Sequence, residues 1–269
     1  MSKTIKIFKN TLTYKLLSSL AKDSIDWLET LGLIGINLIS ALRCIATGCI
    51  NLKNTINQSA IFGFDSLLMT LSMVGISGMI IALQIAYEMV KQGAGDYVGM
   101  LVTVSIIREI GPIMGSFAVI SMVGSSMAAE IGTMKVTEQI DAMRVLGVDP
   151  IYFLIVPRIL AGFFIMPFVI ILANTVGIIG GMITTNIVSE LSVLNYIDSV
   201  WRGLSGKDIF VSLLKACIFG GMIALISSSL GYKTQGGAKD VGRSTTKAVV
   251  WSFVAVVVVD YIISLLFFE

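Results

Sequence analysis

Five apolar runs dominate this chain, at residues 66–87, 98–129, 151–187, 209–230 and 248–268. Each reaches or exceeds the ~20 residues that an α-helix needs to cross the hydrocarbon of a bilayer. None alternates with the period of two that a membrane β-barrel strand would show, and lipid leaves a backbone only helix or closed barrel as ways to satisfy its polar groups. The expectation is an all-α integral membrane protein. Composition agrees, with 55% hydrophobic residues, 13% charged residues and a mean hydropathy of +0.90, whereas a soluble domain carries about 25% charge.

The first 60 residues differ in character from residues 61–269. Lysines recur from Lys3 to Lys22 without a short apolar run ending in a small-residue cleavage site, so this segment reads as retained rather than as a cleaved export signal. Over residues 24–50, Asp26, Glu29, Asn37, Ser40 and Arg43 recur at helical spacing against Trp27, Leu28, Leu31, Ile34, Leu38 and Leu42. That pattern predicts an interfacial amphipathic helix, with an irregular first span as the alternative. The third apolar run carries Pro157 and Pro167, which predict bending, and residues 189–208, with Tyr196 and Trp201, predict a short helix outside the membrane.

Lysine and arginine placement sets the expected orientation. With a cytoplasmic N-terminus, the inner side holds fourteen of the nineteen basic residues and the outer side only Lys91, Arg202 and Lys207. The C-terminus is then outside. Arg108 and Lys215 remain within spans.

Arg108 belongs to the stretch VSIIREIGPIMGSF, which sets an arginine, Glu109 and Pro112 inside an apolar run. Pro112 has no N–H for the carbonyl of Arg108, four residues earlier, so it frees an acceptor beside the charge pair and predicts a kink. Adjacent residues on a helix point in different directions, so Arg108 and Glu109 each need a partner from elsewhere. Antiparallel register places Lys215 in the same outer half of the bundle. A periplasm-facing cavity with cations for a phosphate and apolar walls for acyl chains would use Arg108, Glu109 and Lys215. A structural network, such as Arg108 with Asp260 or Lys215 with Glu109, is the alternative. Gly111, Gly115, Gly177 and Gly181 predict close helix packing.

Residues 128–150, AAEIGTMKVTEQIDAMRVLGVDP, form the second informative stretch. Thr133 is expected to cap a short helix over about 133–146, Gly147 to end it, and Asp149-Pro150 to turn the chain into the next span. Val136, Ile140 and Met143 share one face, and Lys135, Glu138, Asp141 and Arg144 are expected in solvent. From pattern alone, a docking element and a solvated connector stand equal.

Other chemistry is weakly represented. There is no histidine, and Cys44, Cys49 and Cys217 lie in apolar surroundings without metal-like clustering. GLSGKD at Gly203 lacks the spacing of a phosphate-binding loop. No cofactor is expected on this chain.

REIGP, the 128–150 stretch, and the following Pro157-Arg158 resemble the signature of the MlaE family of ABC-transporter permeases, also called YrbE or MCE-associated permeases. GYKTQGGAKDVGRSTTKAVV from Gly231 resembles that family's last cytoplasmic loop and entry to the final span. The resemblance runs from about Asp65 to the C-terminus. It implies a homodimeric permease with two cytoplasmic ABC ATPase subunits, which hold the ATP and Mg, a periplasmic MCE-domain protein and a small STAS-domain protein. The segment 133–146 would be the coupling helix, with Lys135, Glu138, Asp141 and Arg144 toward the ATPase. The substrate would be phospholipid moving between inner and outer membranes of a diderm bacterium, with a plastid envelope as the alternative location. Nucleic acid is not an expected partner. A channel or secondary transporter for another amphipathic or anionic substrate is the competing class, and an intramembrane enzyme the third. The absence of an internal repeat argues against the usual secondary-transporter plan.

Overall fold

The computed structural model describes residues 12–48, 50–189 and 191–268, with side chains from Trp27 onward. Lys3, Lys6, Lys9 and Cys49 lie outside the described residues. Among the described residues every regular element is helical. Six stretches are long and apolar enough to cross a membrane: Trp27–Ala46, Leu52–Lys91, Gly95–Val136, Ile151–Ser189, Gly206–Tyr232 and Ala238–Phe268. The last five contain the five expected spans.

Helix α1 (Leu12–Ala46) begins earlier than the amphipathic pattern indicated. It packs against α9. At its middle Glu29 pairs with Lys233 at 3.3 Å, close to the end of α9 (Gly206–Tyr232), and Asn37 donates to Ser229 at 2.9 Å. After α1 the chain turns through residues 47–51 into α2 (Leu52–Lys91), whose first turn is tied to the bundle by the Asn54 amide on the Phe153 carbonyl. Thr30 and Asn37 face the bundle, while Leu28, Leu31, Ile39 and Leu42 point outward. This polar-inward arrangement suits an apolar surrounding, where a buried polar side chain finds partners that lipid cannot supply.

The stretch Gly95–Val136 is one helical column broken only in its winding. It comprises α3 (Val98–Ser105), a π turn at Ile106–Ile110, α4 (Gly111–Val119), a π turn at Ile120–Gly124, and α5 (Ser125–Val136). The irregularity expected at Pro112 is the first of these turns: the Gly111 N–H bonds the Ile106 carbonyl five residues back, and the proline follows at the start of α4. The same device precedes Pro157. Val156 N–H bonds the Ile151 carbonyl, closing a π turn at Ile151–Ile155 before α7 (Val156–Ser189).

Helix α7 occupies the middle of the bundle between α2 and α9. Its crossing with α9 is a backbone contact, since a Cβ on Gly162 would run into the Gly220 carbonyl and a Cβ on Gly220 into the Gly162 carbonyl. Gly111 packs on Asn174 and Gly177 on Val74, as close-packing positions should. The expected extramembrane helix is α8 (Val193–Gly203), held to α3 by the Ser199 hydroxyl, which accepts from Met100 N–H at 2.9 Å. The last helix, α10 (Ala238–Phe268), packs on α9 and α5.

The segment expected as one helix over 133–146 is divided differently. Thr133 does not cap it; α5 runs through Thr133 to Val136, and its hydroxyl bonds the Ala129 carbonyl at 2.8 Å. The break falls at Thr137–Glu138, where Glu138 adopts a left-handed φ of 61°, and α6 spans Gln139–Val145. Thr133 lost because its hydroxyl bonds back along a helix already under way. Gly147, with φ of 75°, ends α6 as expected, and the Asp149 carboxylate accepts from Ile151 N–H at 2.9 Å to start the next helix.

Candidate functional site

Arg108 and Glu109 come together with residues from two other helices, α9 and α10. Arg108 and Glu109 sit on the π turn about 20 Å along the column from Gly95, and Lys215 lies about 14 Å into α9 from Gly206, at 1.5 Å per residue. The carbonyl that Pro112 leaves without a donor, that of Arg108, accepts from Lys215 Nζ at 2.8 Å. Lys215 also meets Glu109 at 3.1 Å, Asp260 of α10 at 2.8 Å and the Ser264 hydroxyl at 2.7 Å. It is wholly buried. Three N–H donors thus face four protein acceptors, and no direction is left for a ligand in this conformation.

Arg108 takes a different partner from the one considered in the sequence. Its guanidinium pairs with Asp208, in the first turn of α9, with Nε–Oδ1 at 3.0 Å and Nη2–Oδ2 at 3.1 Å. The Nη2 contact is a hydrogen bond, whereas the Nε–Oδ1 approach is an ion-pair contact without hydrogen-bond alignment. The Asp208 side chain is 4% exposed, whereas those of Arg108 and Glu109 are 39% and 42% exposed. Phe268, near the end of α10, places its ring 4.4 Å from the Arg108 guanidinium carbon and 5.7 Å from Lys207 Nζ. The arrangement is two-layered: Asp208, Lys215 and Asp260 are buried, and Arg108 and Glu109 stand above them on an open face. The sequence missed Asp208 because it closes a polar linker and reads as loop, and Ser264 because a lone serine in an apolar run carries no signal.

At the α6 end, three of the four expected coupling residues, Lys135, Asp141 and Arg144, form one small cluster. Lys135 bonds both oxygens of Asp141, at 2.9 and 3.1 Å, and Arg144 reaches Asp141 at 3.3 Å. The Lys135 hydrogen bond holds the Asp141 carboxyl below its ordinary range. Arg144 also bonds the Tyr232 hydroxyl and lies over its ring. Glu138 is exposed at the break. Ile140 is buried with Ile131 and Leu154, with Met143 packed against them, whereas Val136 ends α5 before the break and so does not share a helix face with them as expected; Val145 and Leu146 are 87% and 79% exposed at the tip.

Two further residues of the quoted motifs form a clamp. Arg158, 1% exposed, pairs with the half-exposed Glu130 at 2.7 Å and donates from Nε to the Gln58 side-chain amide oxygen at 3.4 Å, tying α7 to α5 and α2. Cys44 and Cys217 are half-buried, and no group of three metal-ligating side chains occurs among the described residues.

A helical bundle of this length, with apolar outer faces and a charged cluster inside its spans, is a multi-pass membrane protein of the permease class. The family model described as Permease MlaE matches residues 55–266, and the chain belongs to that family. It is 38% identical over 225 residues to a probable ABC transporter permease protein of Synechocystis sp., covering 84% of this chain and 86% of the relative. The same identity over 225 residues relates it to the chloroplastic protein trigalactosyldiacylglycerol 1 of Arabidopsis thaliana, with 84% of this chain and 64% of that protein covered. A probable ABC transporter permease protein of Rickettsia prowazekii is 33% identical over 255 residues, 95% of this chain and 98% of its own length.

Proposed function

We infer that this chain is the membrane subunit of an ATP-driven transporter of phospholipids, working as a homodimer with cytoplasmic ABC ATPase subunits and a periplasmic MCE-domain protein, with a STAS-domain protein on the ATPase. The observation that carries the lipid assignment is the open layer of Arg108 and Glu109, half-exposed within an apolar span beside apolar walls. A charge on such a face is costly against hydrocarbon, and a second copy of the chain closing over it would make a polar-floored, apolar-walled chamber fitted to a phosphate and acyl chains. Lys215 enters this reading as the buried post that positions Glu109 and the Arg108 carbonyl, not as a phosphate contact. The name of the chloroplast relative, which contains a galactoglycerolipid, supports a glycerolipid substrate. Orientation follows the basic residues: N-terminus and α6 cytoplasmic, C-terminus periplasmic, in the inner membrane.

The exposed Val145 and Leu146, with Glu138 and the Lys135–Asp141–Arg144 cluster behind them, would present α6 to the ATPase. Tagged protein should copurify an ABC ATPase and phospholipid. Pairing Arg108→Gln with Asp208→Asn removes both charges and strands neither, so the fold should persist while bound phospholipid and transport fall by tenfold or so. Unchanged lipid content and transport in that variant would remove Arg108 from the lipid path.

A further inference from the structure

The clamp of Arg158 on Glu130 and Gln58 lies outside the charged cluster, at the α6 end of the bundle. Helix α6 is set off by a left-handed residue on each side, Glu138 with φ of 61° and Gly147 with φ of 75°. It continues neither flanking helix, so a displacement of α6 carries them as rigid units only through side-chain contacts. Two layers of side chains provide these. In the first, Ile140 and Met143 of α6 pack on Ile131 and Met134 of α5 and on Leu154 of the π turn before α7. In the second, one residue deeper along α5 and one turn deeper along α7, Glu130 meets Arg158, whose Nε also reaches Gln58 of α2.

Arg158 is 1% exposed, and a buried pair is seldom worth more in stability than apolar residues of the same volume. What the pair adds is a fixed attachment of α5 to α7. Those helices lead to the two halves of the charged cluster. Helix α5 ends the column on which Arg108 and Glu109 sit. Helix α7, one turn beyond Arg158, crosses α9 at Gly162 on Gly220, five residues from Lys215.

We propose that Arg158, Glu130 and Gln58 are positioning residues that make α5, α7 and α2 follow α6 as one body, and so carry a displacement of α6 by its cytoplasmic partner to the Arg108–Glu109 layer. This rests on the reading of the chain as an ATP-driven lipid transporter with α6 against the ATPase. With the clamp closed, each copy of the chain moves as a unit, and the chamber between two copies opens or closes while the Lys215 network stays intact. With the clamp released, α6 moves alone and ATP is hydrolysed without lipid moving.

The test uses the complete complex, the tagged chain with the ABC ATPase and other subunits that copurify with it, in vesicles of phosphatidylethanolamine and phosphatidylglycerol. ATP hydrolysis and ATP-dependent exchange of fluorescent phosphatidylglycerol with a second vesicle population are read in parallel. Glu130→Gln with Arg158→Gln removes both charges and strands neither. That complex should hydrolyse ATP at the native rate while lipid moved per ATP falls by about tenfold, within the ~5–150-fold range of couplings between distant sites. A merely structural pair would lower hydrolysis and transport in proportion, so an unchanged ratio overturns the proposal. Loss of the ATPase from the double variant would mean that the pair shapes the docking surface rather than transmits from it, and overturns it too. Where the double variant does not elute as native complex, Arg158→Lys keeps the charge beside Glu130 and gives up the planar fork that reaches Gln58. Its ratio should fall several-fold, and a native ratio there counts equally against the clamp. A native complex that holds no ATPase, or moves no lipid on addition of ATP, fails the transporter reading itself and takes the clamp's role with it; native coupling with an unchanged variant ratio sinks the clamp alone.

Discussion

Replacing Lys215 with methionine should destabilise the bundle more than any other single charge removal in the spans. The ammonium holds two carboxylates, Glu109 at 3.1 Å and Asp260 at 2.8 Å, and fills the acceptor of the Arg108 carbonyl that Pro112 cannot serve. Breaking a buried pair from one side costs about 3–5 kcal/mol, because the remaining charge is stranded. Glu109 is half-exposed and keeps the Ser264 hydroxyl as a donor at 2.8 Å, so it contributes little to that cost. Asp260, 8% exposed, carries most of it. The lower end, about 3 kcal/mol, is therefore expected, or a fall of about 6–12 °C in melting temperature at the ~2–4 °C per kcal/mol of larger domains. Adding Asp260→Asn to Lys215→Met removes the stranded charge and should recover more than half of the loss. Thermal unfolding in detergent, followed by tryptophan fluorescence and by elution after heating, reads both variants. A Lys215→Met protein melting within ~2 °C of native, or a double variant no better than the single one, would refute the buried-post argument.

Gly162→Ala should lower thermal stability by about 1–3 kcal/mol through the α7–α9 backbone contact, while Gly206→Ala, where a Cβ meets nothing, serves as the neutral comparison in the same melt. Glu138→Gly should raise the melting temperature slightly, since glycine relieves a left-handed residue at a cost otherwise of about 1 kcal/mol; a lower melting temperature would contradict the left-handed break. Asp141 titrates below its ordinary value because Lys135 bonds it, so its stabilising contact is present above the unfolded-state pKa and lost as pH falls through the lowered folded value. Carboxyl NMR of labelled protein should show that pKa rising in Lys135→Ala.

The sequence made the spans legible because lipid demands long apolar runs, and it made Arg108, Glu109, Pro112 and Lys215 conspicuous because each violates that demand. Their local chemistry could be followed as well, down to the freed Arg108 carbonyl that the structure gives to Lys215. The break at Glu138 was not legible, since neither a glutamate nor its neighbours carries the glycine signal that left-handed backbone usually needs. Pairing was only partly legible: Lys215 with Glu109 was among the networks considered, but Arg108 went to Asp208, exactly one hundred residues on, in a turn that composition assigned to a loop.

The remaining gap concerns which cations are sealed and which are open. Soluble helices announce their buried side by an apolar stripe, but these spans are apolar on every side, so periodicity does not fix how each helix is rotated about its axis. Rotation is fixed instead by small-residue crossings such as Gly162 on Gly220 and Gly111 on Asn174. Those contacts turn Lys215 inward to complete enclosure and leave Arg108 at the rim, although the two residues have equal claims as intramembrane cations in the sequence. The division of labour between a positioning lysine and a lipid-facing arginine is therefore set by glycines that never touch either charge. It follows that substitutions at those glycines should disturb lipid binding indirectly, by rotating α9 or α4 and closing or misdirecting the open layer.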